Sequence, residues 1–255
     1  MSPAVSNPVP DRVIKNDEVH EKWTRRLLWT AKTDLPLKVV GTTVFLTLFF
    51  IAYFWLLNHP MFPVTVIPVT FLDRWIGFEP WSLVLYASLW VYATLPLALQ
   101  EDRRRIISYG WAATGLSLAA MLIFFFWPTA TPKPDIDWAL YPSFSFLKTV
   151  DQVRNACPSL HAAFAVFSGL WLERQFRRMG APAIVRILNG FWCLGILYST
   201  LATRQHVAID LFSGAALGAV AFALHLQCLP KSVRHADRRC EQAPPEQTQE
   251  ISNFE

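Results

Sequence analysis

The stretch Ser199-Thr-Leu-Ala-Thr-Arg-Gln-His-Val-Ala-Ile-Asp210 ends in a histidine and an aspartate four residues apart, and a long apolar run follows it. On a helix that spacing puts His206 and Asp210 on one face, one turn apart. A carboxylate at the mouth of an apolar helix is costly without a partner, and His206 is the natural one. A second stretch, Cys157-Pro-Ser-Leu-His161, opens another apolar run. Two histidines at the starts of two apolar helices, one with a carboxylate behind it, suit phosphoryl chemistry at a membrane surface.

The rest of the composition agrees with a membrane setting. Of 255 residues, 53% are hydrophobic and only 16% charged, against about 25% charged in soluble domains. Eleven Trp and nineteen Phe fit lipid-facing surface and interfacial belts. The formal charge of +4 suits a chain lying against anionic lipid. No basic patch is interleaved with aromatics, so nucleic acid is not an expected partner. Cys157, Cys193, Cys228 and Cys240 form no C-x-x-C pair and no zinc-spaced cluster. Their positions along the spans keep them apart, so no disulfide, metal or other cofactor is expected.

Hydropathy divides the chain into three parts. Residues 1–35 are a polar start followed by an amphipathic segment, Asp17–Lys32, in which Val19, Trp23, Leu27 and Ala31 recur every four residues beside a basic face. Such a helix lies on a membrane surface. Residues 36–230 hold six predicted spans: Leu37–Leu57, Trp81–Leu99, Ile106–Trp127, Pro158–Leu172, Ile184–Leu201 and Val207–Leu229. The first starts too late and runs too long for a cleaved signal peptide. Residues 58–80, broken by four prolines, read as an interfacial loop. Residues 231–255 read as a disordered tail. The predicted fold is all-α, a polytopic membrane protein with six transmembrane helices in a bundle.

Six spans put both ends of the chain on one side. Of the 23 Lys and Arg, 18 fall on that side, and the other side holds Arg74, Lys133, Lys148, Arg154 and Arg204. The positive-inside rule makes the side of the termini cytoplasmic, with both histidine motifs outside, most simply in a plasma or inner membrane.

Cleaving a phosphate ester needs a nucleophile, an acid for the leaving oxygen and cations for the phosphoryl oxygens. His206 is the candidate nucleophile, with Asp210 holding its other ring nitrogen. His161 is the candidate acid, and then the base that activates water or an alcohol against phosphohistidine. Arg204, Arg154, Lys148 and Lys133 are candidate phosphate cations, and Ser159 a hydroxyl donor. Taken singly, each has a plainer reading: a histidine at a helix start caps it, Asp210 favours the helix dipole, Ser159 is an N-cap, and Arg204 anchors a headgroup. Together they share one membrane face and complement one another chemically.

Pro158-Ser-Leu-His161 resembles the Pro-Ser-Gly-His motif of the type 2 phosphatidic acid phosphatase superfamily. His206-x-x-x-Asp210 resembles the end of its third motif, Ser-Arg-x5-His-x3-Asp. The Pro-Ser-Leu-His-Ala-Ala wording and the Ser-Thr-x-x-Thr-x-Gln-His run are closer to the inositol phosphotransferase-like branch. The resemblance covers roughly Trp81 to Gly218. It implies six helices with outward-facing motifs and a metal-free phosphohistidine mechanism using His206, Asp210 and His161. The chain departs from the pattern in places. Thr200 stands at the third-motif arginine, with Arg204 a turn further on. Leu160 replaces the glycine. The first motif, Lys-x6-Arg-Pro, is represented only by Lys148-x5-Arg154 or by Lys133-Pro134.

The expected function is an integral membrane lipid phosphatase or phosphotransferase, acting on a lipid phosphate among membrane lipids. The competing class is a transporter or scaffold that kept the fold without catalysis. Small residues supply a packing expectation. Ala165 and Gly169 lie below His161, and Gly214 and Gly218 lie below Asp210, so these stripes are predicted to pack together and join the histidines.

Overall fold

In the computed structural model, which describes residues 23–144 and 154–229, the chain is helical from residue 23. Helix α1 (23–32) is the described half of the expected amphipathic segment; residues 17–22 and the tail from 230 lie outside the described residues. The chain turns at Asp34, whose φ is 48°. Pro36 then sits in the first turn of α2 (Leu35–Asn58), where a missing N–H costs little. Residues 58–80 are not plain loop. They carry the two-residue strand β1 (Thr65–Val66), paired in parallel with β2 (Thr129–Ala130), and the short helix α3 (Phe71–Trp75).

The second expected span is interrupted. A 3-10 turn, Pro80–Ser82, leads into α4 (Leu83–Tyr92) and then α5 (Leu95–Ala98). Pro96 explains the break, since it lacks an N–H and its ring crowds the preceding turn. Helix α6 (Arg103–Phe126) starts at Asp102, whose carboxylate accepts from the Arg105 N–H at 2.9 Å. Three helices complete the bundle: α7 (Leu160–Met179), α8 (Ala183–Ala202) and α9 (Ala208–Cys228).

Among the described residues, five segments are long and apolar enough to cross a membrane: Leu35–Asn58, Pro80–Ala98, Arg103–Phe126, Ala183–Ala202 and Ala208–Cys228. This is the signature of an integral membrane protein. The expected fourth span is the exception to the predicted six. Helix α7 does not stop at Leu172 but runs on to Met179, taking Glu173, Arg174, Arg177 and Arg178 into its last two turns. These charges are tolerable because partners meet them. Arg178 pairs with Glu101 at 2.7 Å and Arg186 with Glu173 at 2.8 Å. Gln175 donates to the Pro96 carbonyl at 2.7 Å. Helix α7 is also the central helix, with Ala162, Ala163, Ala165, Phe167 and Ser168 wholly buried.

Helix α2 is the peripheral member and leans on α6. Its N-terminal end is tied by Lys38, a buried lysine whose Nζ donates to the Thr30 carbonyl at 2.6 Å and the Ala98 carbonyl at 2.8 Å. Lys38 therefore belongs to the core and not to the surface charge counted for orientation.

Helix α7 packs most closely on α9, and the glycines say why. A Cβ at Gly214 would collide with the Ser159 carbonyl oxygen, and one at Gly218 with that of Ala163. The expected partner stripe faces elsewhere. A Cβ at Gly169 would meet Tyr92 Oη at 2.9 Å and Cys193 Sγ at 3.1 Å, and the Cys193 thiol donates to the Ala165 carbonyl at 3.4 Å. Ala165 and Gly169 thus face α4 and α8, while Ser159 and Ala163 receive the Gly214 and Gly218 stripe. Cys157, Cys193 and Cys228 are free thiols; Cys240 lies outside the described residues.

Candidate active site

The turn between α8 and α9 holds His206. The residue is not helical, as the four-residue spacing suggested, but stands just before the N-cap, Val207. Its position is set from both sides. Its N–H donates to the Thr200 carbonyl at 3.1 Å. Its Nδ1 lies 2.7 Å from Asp210 Oδ2. Asp210 is the third residue of α9, and its other oxygen accepts from the Val207 N–H at 2.7 Å. One carboxylate therefore caps the helix and orients the imidazole, leaving Nε2 as the outward nitrogen. Asp210 is fully buried and His206 is 8% exposed, so their attraction is little screened.

His161 lies in the first turn of α7, which Ser159 caps by accepting from the Ala162 N–H at 3.2 Å. The His161 ring stacks on Tyr86, with centroids 4.2 Å apart, and Nδ1 is 3.3 Å from the Tyr86 hydroxyl. Its Nε2 is buried with no hydrogen-bond partner among the described residues. The two imidazoles are brought together, with centroids 5.8 Å apart. A hydrogen bond from the Ser159 N–H to the Asp210 carbonyl, at 2.9 Å, joins the two motifs directly.

The basic residues are more scattered. Arg204 has a left-handed backbone (φ 59°), and its Nη1 donates to the Asp73 carbonyl at 2.6 Å. Arg154 is exposed and forms a backbone bridge with Ala130. Lys133 is exposed, and Lys148 lies outside the described residues. Thr200, at the position of the family's arginine, turns its hydroxyl back to the Leu197 carbonyl at 2.7 Å.

Three residues that the sequence reading passed over belong to this site. Asp73 is 2% exposed. Its Oδ1 accepts from the Ala208 N–H and its Oδ2 from the Thr70 N–H and hydroxyl, each at 2.7 Å. It fastens α3 to the turn that carries His206. The Thr70-x-x-Asp73 spacing is a capping signal that would have found it. Tyr86 has no such signal. Asn155 is 6% exposed with φ 53°, and its Nδ2 is buried without a partner among the described residues. Asn155, His161 and His206 line one end of a cleft of about 290 Å³.

The family model described as PAP2 superfamily matches residues 108–234. The chain thus carries a PAP2 superfamily domain, of a family of phosphatases, and both histidine motifs lie within it. Helices α2 to α5, with Asp73 and Tyr86, precede the matched region. No curated protein and no solved structure is significantly similar to the chain.

Proposed function

We propose that the protein is a lipid phosphatase or phosphotransferase that forms a phosphohistidine on His206 at the outer face of the membrane. The observation that carries this reading is the buried His206–Asp210 pair, 2.7 Å apart, facing His161 across 5.8 Å inside a phosphatase-family domain.

His206 Nε2 attacks phosphorus while the bond to the lipid oxygen breaks. Asp210 stabilises the imidazolium that forms, as the carboxylate of a triad does. As the acid, His161 is an imidazolium whose Nδ1–H donates to the Tyr86 hydroxyl oxygen, 3.3 Å away, and whose Nε2 proton passes to the departing oxygen, leaving a neutral imidazole. In the second half-reaction His161 takes a proton from water or an alcohol, whose oxygen attacks the phosphorus and releases His206. Water gives inorganic phosphate, and a lipid or polyol hydroxyl gives a transferred phosphate. The Pro158-Ser-Leu-His-Ala-Ala wording favours the inositol phosphotransferase-like branch. Asn155 Nδ2 joins Arg204, Ser159, Arg154, Lys148 and Lys133 as a group that can donate to phosphoryl oxygens. The excess of basic residues beside the termini supports cytoplasmic ends and an outward site.

The test is to incubate purified protein in liposomes with phosphatidic acid labelled in its phosphate, with and without EDTA. Released phosphate and an acid-labile, base-stable label on the protein are expected, undiminished by EDTA and blocked by vanadate. Binding without turnover would favour the transporter or scaffold. Turnover that EDTA abolishes and a divalent ion restores would overturn the mechanism.

A further inference from the structure

The cleft below the histidines is much longer than a phosphate group needs. Its outer end meets His161, His206 and Asn155. Along α2 its lining is one helical stripe, from Tyr53 through Phe49, Phe45 and Gly41 to Leu37. At about 1.5 Å per residue that stripe is about 24 Å long. The facing walls are Trp90, Ala93 and Leu97 on one side and Ala113, Gly110 and Ile106 on the other. Beyond its outer end the lining is apolar apart from Thr42, Thr94 and Tyr109, and the Thr94 hydroxyl is already spent on the Val91 carbonyl at 2.8 Å.

We infer that this groove holds one extended hydrocarbon chain of the substrate, and that Gly41 and Gly110 set the greatest chain length it accepts. The inference rests on the lipid-phosphate reading above and names the part of the lipid that is recognised. A polar end continuous with a long apolar slot matches an amphiphile with its phosphate at the histidines. A soluble phosphate ester would leave the slot unused.

The length adds a second argument. One leaflet offers about 15 Å of hydrocarbon, half the usual core thickness. A slot of about 24 Å therefore holds a chain straighter and deeper than the surrounding lipid does. Length then becomes something the protein can measure.

The two glycines form the third argument. Both line the inner half of the groove, on α2 and α6, and a Cβ built at either meets nothing within 4 Å. Each borders that half of the groove, so a bulky side chain at either position has room to enter it and narrow it. Gly115 and Gly190 are also open at the Cβ position, but they do not line the groove. They serve as controls.

The experiment uses full-length protein in liposomes, as wild type, Gly41→Phe, Gly110→Phe and the control Gly115→Phe. Substrates are lysophosphatidic acids with octanoyl, lauroyl, palmitoyl or arachidoyl chains, with p-nitrophenyl phosphate as the chain-free substrate. In the wild type kcat/KM should rise with chain length to palmitoyl or beyond. Gly41→Phe and Gly110→Phe should lose about tenfold or more on the two longest chains, the scale of steric rejection in an apolar pocket. Octanoyl substrate, p-nitrophenyl phosphate and the Gly115→Phe protein should behave as wild type. Equal rates for every chain, or variants that lose all substrates alike, would overturn the proposal.

A wild type that hydrolyses none of the substrates would refute the catalytic reading, and the groove is then read by binding. A palmitoyl lysophosphatidic acid with a photoactivatable group at its terminal carbon should label residues around Gly41 and Gly110. Labelling spread over the outer faces of α2 and α8 would overturn the proposal.

Discussion

The Ser159 N–H donates to the carbonyl oxygen of Asp210 at 2.9 Å, so the segment that positions one histidine is bonded to the segment that positions the other. The two motifs are far apart in sequence, and this contact makes them one unit. It forms only because Gly214 lets α9 approach the backbone of Ser159.

Gly214→Leu should therefore cut turnover about a hundredfold, the penalty for misplacing reacting groups by about an ångström. Gly218→Leu should behave similarly through Ala163. Gly195→Leu should be mild, because a Cβ there meets Leu85 only at 3.5 Å. Phosphate release from correctly inserted protein is the measurement, and full turnover by Gly214→Leu would end the idea. Gly169→Leu should also be damaging, through its collision with Tyr92 and Cys193.

Asp210→Asn should lower kcat by about 10³ to 10⁴-fold, as loss of the orienting carboxylate does in a triad. His161→Ala should separate two substrates. A lipid phosphate, with its poor leaving group, should lose about 10² to 10⁴-fold. With p-nitrophenyl phosphate, whose leaving group needs no proton, the loss should be far smaller. Equal losses on both substrates would show that His161 is not the acid.

Asp73 acts as a positioning residue. Asp73→Ala strips acceptors from the Ala208 and Thr70 N–H groups, a loss of about 2–3 kcal/mol for bonds to a charged group. The thermal midpoint should fall, and kcat should fall with KM little changed, because the His206 turn loosens while the groove stays intact. Asp73→Asn should lie between wild type and alanine in both respects. A fall in stability with unchanged kcat per folded molecule would make the role structural only.

Asn155 allows backbone and side chain to be separated. With φ at 53°, Asn155→Ala carries a left-handed penalty of about 1 kcal/mol that Asn155→Gly avoids. The glycine variant should keep its thermal midpoint while both variants lose kcat/KM on phosphate substrates. If Asn155→Gly retains full activity, the buried amide has no part in holding phosphate.

The membrane helices were legible because hydropathy and length report them directly. The boundaries of α2, α6, α8 and α9 fall within a few residues of the predicted spans. Helix α7 was misjudged because its charged end is paired with Glu101 and Arg186, on other parts of the chain, and pairing is invisible in a local window. The His206–Asp210 contact was legible because a four-residue spacing keeps an imidazole and a carboxylate within reach of each other. Asp73 and Tyr86 reach the site from more than 70 positions earlier in the chain; the Thr70-x-x-Asp73 spacing marks a cap but not its distant partner Ala208, and no local pattern marks Tyr86. The facing direction of Gly169 was missed for a related reason. A small residue shows that something approaches closely, but not from which side.

The buried amine of Lys38 has a consequence in time. One of its acceptors, Thr30, precedes it, but the other, Ala98, lies 60 residues downstream. A ribosome adding about 5–20 residues per second needs several seconds to supply that second carbonyl. For that interval the first span sits in the bilayer with its ammonium only partly satisfied. It can then snorkel toward the headgroups and slide along the membrane normal. Arrival of the next hairpin ends the sliding, and the depth of the first span is fixed by a segment made after it.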